Sequence, residues 1–253
     1  MEHEPFDPRL SRMETEWTLV IQSHSGSPEQ VITAQKALLE RYSGAIHRYL
    51  LGAVHDPDVA SELVQEFALR YLRGDFHRAD PSRGRFRDFI KRSIRNLMLN
   101  HLKSQKRRAR PLKAAPEPSI EAFETGFDVE FAESWRKDLL DRAWKSLEAL
   151  QKKTGQPYYT VLRCRVEHPD LRSPALAERL SKDLERPVTA NGVRQALLRA
   201  RDKFVKFLLD EVSAALENPT FDDIEQELID LNLITYCRDY LRRPRTRAAG
   251  EEE

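Results

Sequence analysis

Apolar residues return at three- and four-residue steps along almost the whole chain, and that rhythm constrains the fold more than any other feature. Val31, Leu38, Tyr42, Ile46, Tyr49, Leu50 and Ala53 draw one long stripe, and Ala60, Leu63, Val64, Phe67, Tyr71 and Leu72 draw a second. Phe86, Phe89, Ile90, Ile94, Leu97, Met98 and Leu102 form the core face of a third. Only 9 glycines occur among 253 residues, and Leu, Ala, Arg and Glu dominate, so propensity agrees with periodicity. The expected fold is all-α, with almost no sheet.

The breaks between stripes set the organisation. Ser25-Gly26-Ser27-Pro28 precedes the first helix. At His55-Asp56-Pro57-Asp58, Asp56 is suited to cap the second and Pro57 to occupy its first turn. Gly74 ends that helix. From Arg110 the pattern dissolves into Pro-, Ala- and Glu-bearing sequence, read as a flexible linker. A second helical set begins near Phe131 with Trp135, Leu139, Leu140, Ala143, Trp144, Leu147 and Leu150, followed by a helix from about Tyr158 to Glu167. Two small helical domains are therefore expected, residues 27–109 and 131–217, joined by a linker over 110–130. A short N-terminal segment, 1–26, precedes them, and a helical extension with a disordered charged tail, 218–253, follows.

Several classes are excluded. Cys164 and Cys237 are the two cysteines and lie far apart, which leaves no disulfide framework and no paired-cysteine metal or redox motif. No run of about eighteen apolar residues occurs, and the opening residues are acidic and proline-bearing rather than signal-like, so a cytoplasmic protein is expected, neither exported nor inserted in a membrane. Phosphate-loop, dinucleotide, nucleophile-elbow and His-Glu-x-x-His patterns are missing, and the seven histidines have no ligand spacing. No catalytic residue, metal or cofactor is expected.

The formal charge of +1 hides strong segregation of sign. Between Arg83 and Arg110 stand eleven Lys or Arg and one acid, Asp88. With the apolar stripe turned inward, Arg83, Arg85, Arg87, Lys91, Arg92, Arg95 and Lys103 are expected to project and attract phosphates. Asn96 and Asn100 add groups that hydrogen-bond base edges. The preceding loop holds Phe76, His77 and Arg78, flat rings and a cation suited to an unstacked base, although a core role for Phe76 fits its position equally.

Farther on, Leu176, Ala177, Leu180 and Leu184, then a turn at Glu185-Arg186-Pro187-Val188, then Val193, Ala196, Leu197, Ala200, Phe204 and Leu208 make a helix-turn-helix pattern. Thr189 is placed to cap the second helix, whose outward residues include Asn191, Arg194, Gln195, Arg199 and Arg201, types suited to bases and phosphates. The second stripe's helix presents a different face, with Glu62, Gln65, Glu66, Leu69 and Arg70 outward. An acidic surface around one leucine suits a protein partner better than DNA.

The run Asp58 to Leu72 resembles sigma region 2.2, Gly84 to Leu97 resembles regions 2.3 and 2.4, and Leu176 to Leu208 resembles region 4.2 of sigma factors of the extracytoplasmic-function class (sigma-70 class, group IV). Glu16-Trp17-Thr18-Leu19-Val20 and the long region 4 are similar to planctomycete-type relatives. The resemblance implies a sigma-2-like bundle and a sigma-4-like helix-turn-helix domain. It implies that Glu62, Gln65, Glu66, Leu69 and Arg70 grip core RNA polymerase. The third helix and its loop would hold the minus-ten promoter element as single strand, and the helix after Thr189 would read the minus-thirty-five element as duplex. It leaves room for an anti-sigma factor or other regulatory protein as a further partner. A stand-alone helix-turn-helix regulator that does not use polymerase, and more distantly a nucleic-acid-processing enzyme, are the rival readings.

Overall fold

The computed structural model describes residues 20–24, 27–76, 85–108, 120–216 and 219–241, and every regular element among them is helical. The helices are α1 (Pro28–Val54), α2 (Pro57–Leu72), α3 (Phe86–Arg108), α4 (Ile120–Thr154), α5 (Tyr158–Glu167), α6 (Ser173–Asp183), α7 (Ala190–Ala214), α8 (Phe221–Asp230) and α9 (Ile234–Leu241).

Local chemistry explains where they begin and end. Ser27 and Gln30 form a reciprocal capping box at the start of α1, with Pro28 in the first turn. The Asp56 carboxylate accepts from the amides of Asp58 and Val59 at 2.9 and 3.2 Å and so starts α2, as its position predicts. Gly74 adopts a φ of 85°, which lets the Asp75 amide reach back to the Arg70 carbonyl and close the helix. At the far end of the chain Thr220 and Asp223 box the start of α8.

The chain divides into two compact units, one made of residues up to Leu139 together with Asp210–Leu231, the other of Leu140–Leu209 and the residues from Asn232 on. In the first unit, Tyr42 of α1 stacks on Trp135 of α4 with ring centroids 5.0 Å apart and also packs against Phe86 of α3 at 5.1 Å. Phe131 extends the cluster, 5.8 Å from Trp135 and 5.4 Å from Tyr49. Tyr42, Phe86 and Trp135 are almost wholly buried. Two ion pairs tie α1 to later parts of the same unit, Arg48 to Asp138 at 2.8 Å and Arg41 to Glu211.

The second unit gathers Leu147, Val161, Leu162, Cys164, Leu176, Ala177, Leu180, Val193, Leu197 and Ala200 into one core. Trp144 joins it, 4.8 Å from Phe204 and 5.7 Å from Tyr159. Cys237, also fully buried, is a packing residue whose thiol burial pushes up to about 12.

These units correct the expected boundaries. The segment 110–130, read as a linker, is helical from Ile120, while 110–119 lie outside the described residues. Phe131, Trp135 and Leu139, assigned from sequence to the second domain, belong to the first unit. The extension from residue 218 is likewise shared, with α8 in the first unit and α9 in the second. The reason is physical: Phe131, Trp135, Leu139, Ala143 and Leu147 of α4 are buried at unbroken four-residue steps, so no break in periodicity marks the change of core. Leu72 and Leu102, expected inside, are 48% and 41% exposed. The N-terminal residues 1–19 and the tail from 242 lie outside the described residues.

Removing the Trp135 side chain deletes a ring that touches α1, α3 and its own helix. Trp135→Ala is expected to destabilise the first unit by about 3–5 kcal/mol, the usual cost of truncating a buried large aromatic, read by denaturant unfolding of the full chain.

Candidate nucleic-acid interface

Helix α3 is split lengthwise by its own periodicity. Phe86, Ile90, Ile94, Leu97 and Met98 are buried, and Arg92, Asn96, Asn100 and Lys103 are exposed on the opposite side. At about 100° per residue these four fall within a single stripe. Two cations and two carboxamides in a row supply charge for phosphates and paired donor–acceptor groups for base edges. Lys91 and Arg95 flank the stripe, half-buried, and the Lys91 ammonium lies 3.2 Å from Asp128 of α4.

The amino-terminal end of the same helix is different. Arg85 and Arg87, expected to project toward DNA, turn instead to α8. Arg85 pairs with both Glu227 and Asp230, while the Arg87 guanidinium meets Glu227 at 3.1 Å and Asp230 at 3.6 Å. Glu227 is 1% exposed and Arg87 8%. Burial holds the Glu227 carboxyl above the usual carboxylate range despite the pull of Arg87 and Arg85. Burial also pushes Asp230 up, but the hydrogen bonds it accepts from Arg85 and Gln226 outweigh that and hold it below the usual range.

The signal for this pair was present and was missed. Arg87 stands seven residues before Ile94, on the apolar stripe itself, and Glu227 stands between Ile224 and Leu231 on the apolar stripe of α8. A charge on a buried stripe requires a partner of opposite sign, because an isolated buried ion is too costly.

Phe76 packs rather than opening into a pocket. Its ring lies 5.4 Å from Phe67, 5.7 Å from Tyr71 and 5.3 Å from Phe89, joining the end of α2 to α3. His77, Arg78 and Arg83 lie outside the described residues.

On α2, Glu62, Gln65 and Leu69 are exposed, and Glu66 and Arg70 form an ion pair at 2.8 Å along the helix. With Leu72 also exposed three residues beyond Leu69, at the end of the helix, the outward face has two leucines rather than one. An apolar pair edged by carboxylates is the pattern of a protein-docking surface.

In the second unit α6 and α7 flank the turn 184–189. The Ser181 hydroxyl accepts from the Val188 amide at 2.9 Å, and Glu185 takes a left-handed φ of 51°, which accommodates the length of the turn. The Thr189 hydroxyl accepts from the Gly192 amide at 3.1 Å and caps α7. Thr189 thus has a structural task at the helix end. Asn191, Arg194, Gln195 and Arg201 are exposed on one side of α7, with Leu198 at 54% exposure among them. Arg199 is exposed too, but about 140° around the helix from Arg194.

Residues 38–108, which run from within α1 to the end of α3, match the family model for sigma-70 region 2. The match covers 71 of the chain's 253 residues, and it is a likeness of this segment to that region. Neither curated proteins nor solved structures yield a match. Among the described residues no group of three His, Cys, Asp or Glu is placed to hold a metal ion, and no helix is long and apolar enough to cross a membrane.

Glu227→Ala is expected to cost about 3–5 kcal/mol in unfolding free energy, because it strands Arg87 without its buried partner. Asp222→Ala, at an exposed position of the same helix, is expected to change stability by less than about 0.5 kcal/mol. Equal costs for the two in denaturant titrations would refute a buried pairing.

Proposed function

We propose that the chain is a sigma factor of the extracytoplasmic-function class that binds core RNA polymerase in the cytoplasm and directs promoter recognition and opening, without chemistry of its own. The observation that carries this reading is that the segment similar to sigma-70 region 2 carries two outward faces of opposite character on adjacent helices. The α2 face, Glu62, Gln65, Glu66, Leu69, Arg70 and Leu72, is acidic and apolar and suits the polymerase. The α3 stripe, Arg92, Asn96, Asn100 and Lys103, is cationic and amide-bearing and suits the minus-ten element as single strand.

Arg95 and Lys91 edge that stripe and supplement its field. Arg85 and Arg87 are set aside from the DNA face, since their guanidiniums are committed to Glu227 and Asp230. Phe76 supports the stripe from beneath through Phe89 instead of receiving a base.

The second unit supplies duplex recognition. Asn191, Arg194 and Gln195 sit at the amino end of α7, the end of a recognition helix that enters the major groove, and Arg201 lies farther along the same side. Two contacts on one chain combine through effective concentration, so neither has to be tight alone.

The test separates the two faces of the first unit. Leu69→Asp with Leu72→Asp is expected to lower affinity for core RNA polymerase at least tenfold while leaving the thermal unfolding midpoint close to that of the parent. Arg92→Ala with Lys103→Ala is expected to leave polymerase affinity within about twofold and to lower open-complex formation, read by permanganate footprinting, at least tenfold. Parallel losses in both assays from both pairs would defeat the assignment.

A further inference from the structure

A groove in the second unit has the lining of a site for a small anion. Arg199, Lys203 and Lys206, at i, i+4 and i+7 of α7, line a space of about 540 Å³. Asp202, Tyr158 at the start of α5 and Tyr240 of α9 complete the lining. The three cations are exposed, and their side chains make no ion pair or hydrogen bond with another described residue. Like charges one helical turn apart repel each other. Asp202 stands three residues from Arg199 and four from Lys206, spacings at which a carboxylate can pair with a cation, yet it pairs with neither. No described side chain neutralises the row.

We infer that this groove binds a nucleoside polyphosphate. The inference goes beyond the promoter reading and does not depend on it. Three features of the lining select this class of ligand.

First, the volume falls within the range of about 300–1,000 Å³ in which sites for small molecules lie, and residues from three helices bound it. Second, the cations span about 10 Å of helix, so a single phosphate cannot meet all three, whereas a chain of linked phosphates can. Hydrogen bonds between such cations and phosphate oxygens are among the stronger ones available to a protein. Third, the rest of the lining is wrong for a bare polyphosphate. Asp202 repels it, and a carboxylate accepts only from donors such as the hydroxyls of a sugar or the amino group of a base. Tyr158 and Tyr240 are half-buried and contribute aromatic surface suited to the flat face of a base. A nucleotide carries phosphates, sugar and base in one molecule and so matches all three parts of the lining.

Isothermal titration calorimetry of the full chain at low ionic strength, with ATP, GTP, CTP, UTP and inorganic tripolyphosphate as probes, tests the site. At least one nucleotide is expected to bind once per chain and at least tenfold more tightly than tripolyphosphate. Lys203→Gln with Lys206→Gln is expected to weaken that nucleotide at least tenfold, and Lys203→Arg with Lys206→Arg to keep it within about threefold of the parent. Asp202→Asn is expected to narrow the preference for nucleotide over tripolyphosphate, because it removes the repulsion that disfavours the bare chain of phosphates. Arg194→Ala, on another side of α7, is expected to leave nucleotide affinity within about twofold. Circular dichroism melts of each variant matching the parent establish that binding, not folding, is being read.

Failure of all four nucleotides to bind at millimolar concentration overturns the inference. Tripolyphosphate binding as tightly as the best nucleotide overturns it too, by showing an unselective cationic surface. Parental affinity in the glutamine variant puts the nucleotide elsewhere on the chain and refutes the groove. An equal loss in Arg194→Ala counts against it as well, since the general field of α7 would then be responsible. Each of these results leaves the promoter reading of the Arg194 face standing, so the two can fail separately.

Discussion

A carboxylate buried between two guanidiniums sets the terms for the first unit. Glu227 has almost no access to solvent, and neither has Arg87, so neither group tolerates the loss of the other. A buried ion pair of this kind contributes little net stability compared with an apolar replacement of the same volume. Its force lies in what it forbids: a register of α8 in which Glu227 faced anything other than Arg85 and Arg87 would strand charges away from water. The pair therefore makes α8 part of the first unit although about 140 residues of chain separate the partners. Ile224, Leu228 and Leu231, all buried, supply the apolar area that holds the helix there, and the charges choose its position.

That arrangement redistributes the charge that composition alone assigned to α3. The run from Arg83 to Arg110 is uniform when counted and uneven when folded. At its start the guanidiniums are neutralised from within the chain, and in the middle Lys91 lies against Asp128. Arg92 and Lys103, with Asn96 and Asn100 between them, keep their outward positions. A local field strong enough to collect phosphates requires cations that are both solvent-facing and spared by nearby acids, and this middle stretch meets both conditions better than the end nearest α8.

Much of the local structure was legible because it depends on short-range chemistry. Asp56 with Pro57, Gly74, and Thr189 all end or begin helices where their side chains and backbone preferences place them, and the core stripes of α1 and α3 are largely those read by periodicity. What sequence withheld concerns partners. Trp135 was correctly apolar and wrongly housed, since α4 runs without a break past the residue where one core gives way to another. Leu69 and Leu72 lie three residues apart on one helix, yet periodicity placed one outside and one inside, because a residue at the edge of a stripe is decided by what packs beside it. Arg87 and Glu227 could have been found by asking which charges interrupt an apolar stripe. Counting cations along the segment treated Arg87 as equivalent to Arg92, when the helical angle separates them by about 140°.

The same angular logic explains how small helices serve several ends. Helix α2 turns Leu63, Phe67 and Tyr71 into the core, and through Phe76 and Phe89 its end is joined to α3, so the two are held by aromatic contacts. Their outward faces are free to differ, and they differ in sign. Glu62 and Glu66 on α2 repel a polyanion, whereas Arg92 and Lys103 on α3 repel a basic protein surface, so each face disfavours the partner of the other as well as attracting its own. On the proposed reading one domain holds a protein and a nucleic acid together, and discrimination of this kind comes from placing opposite charges on neighbouring helices. It would fail if either helix rolled by a single residue, about 100°, because a core leucine and a surface charge would then exchange places.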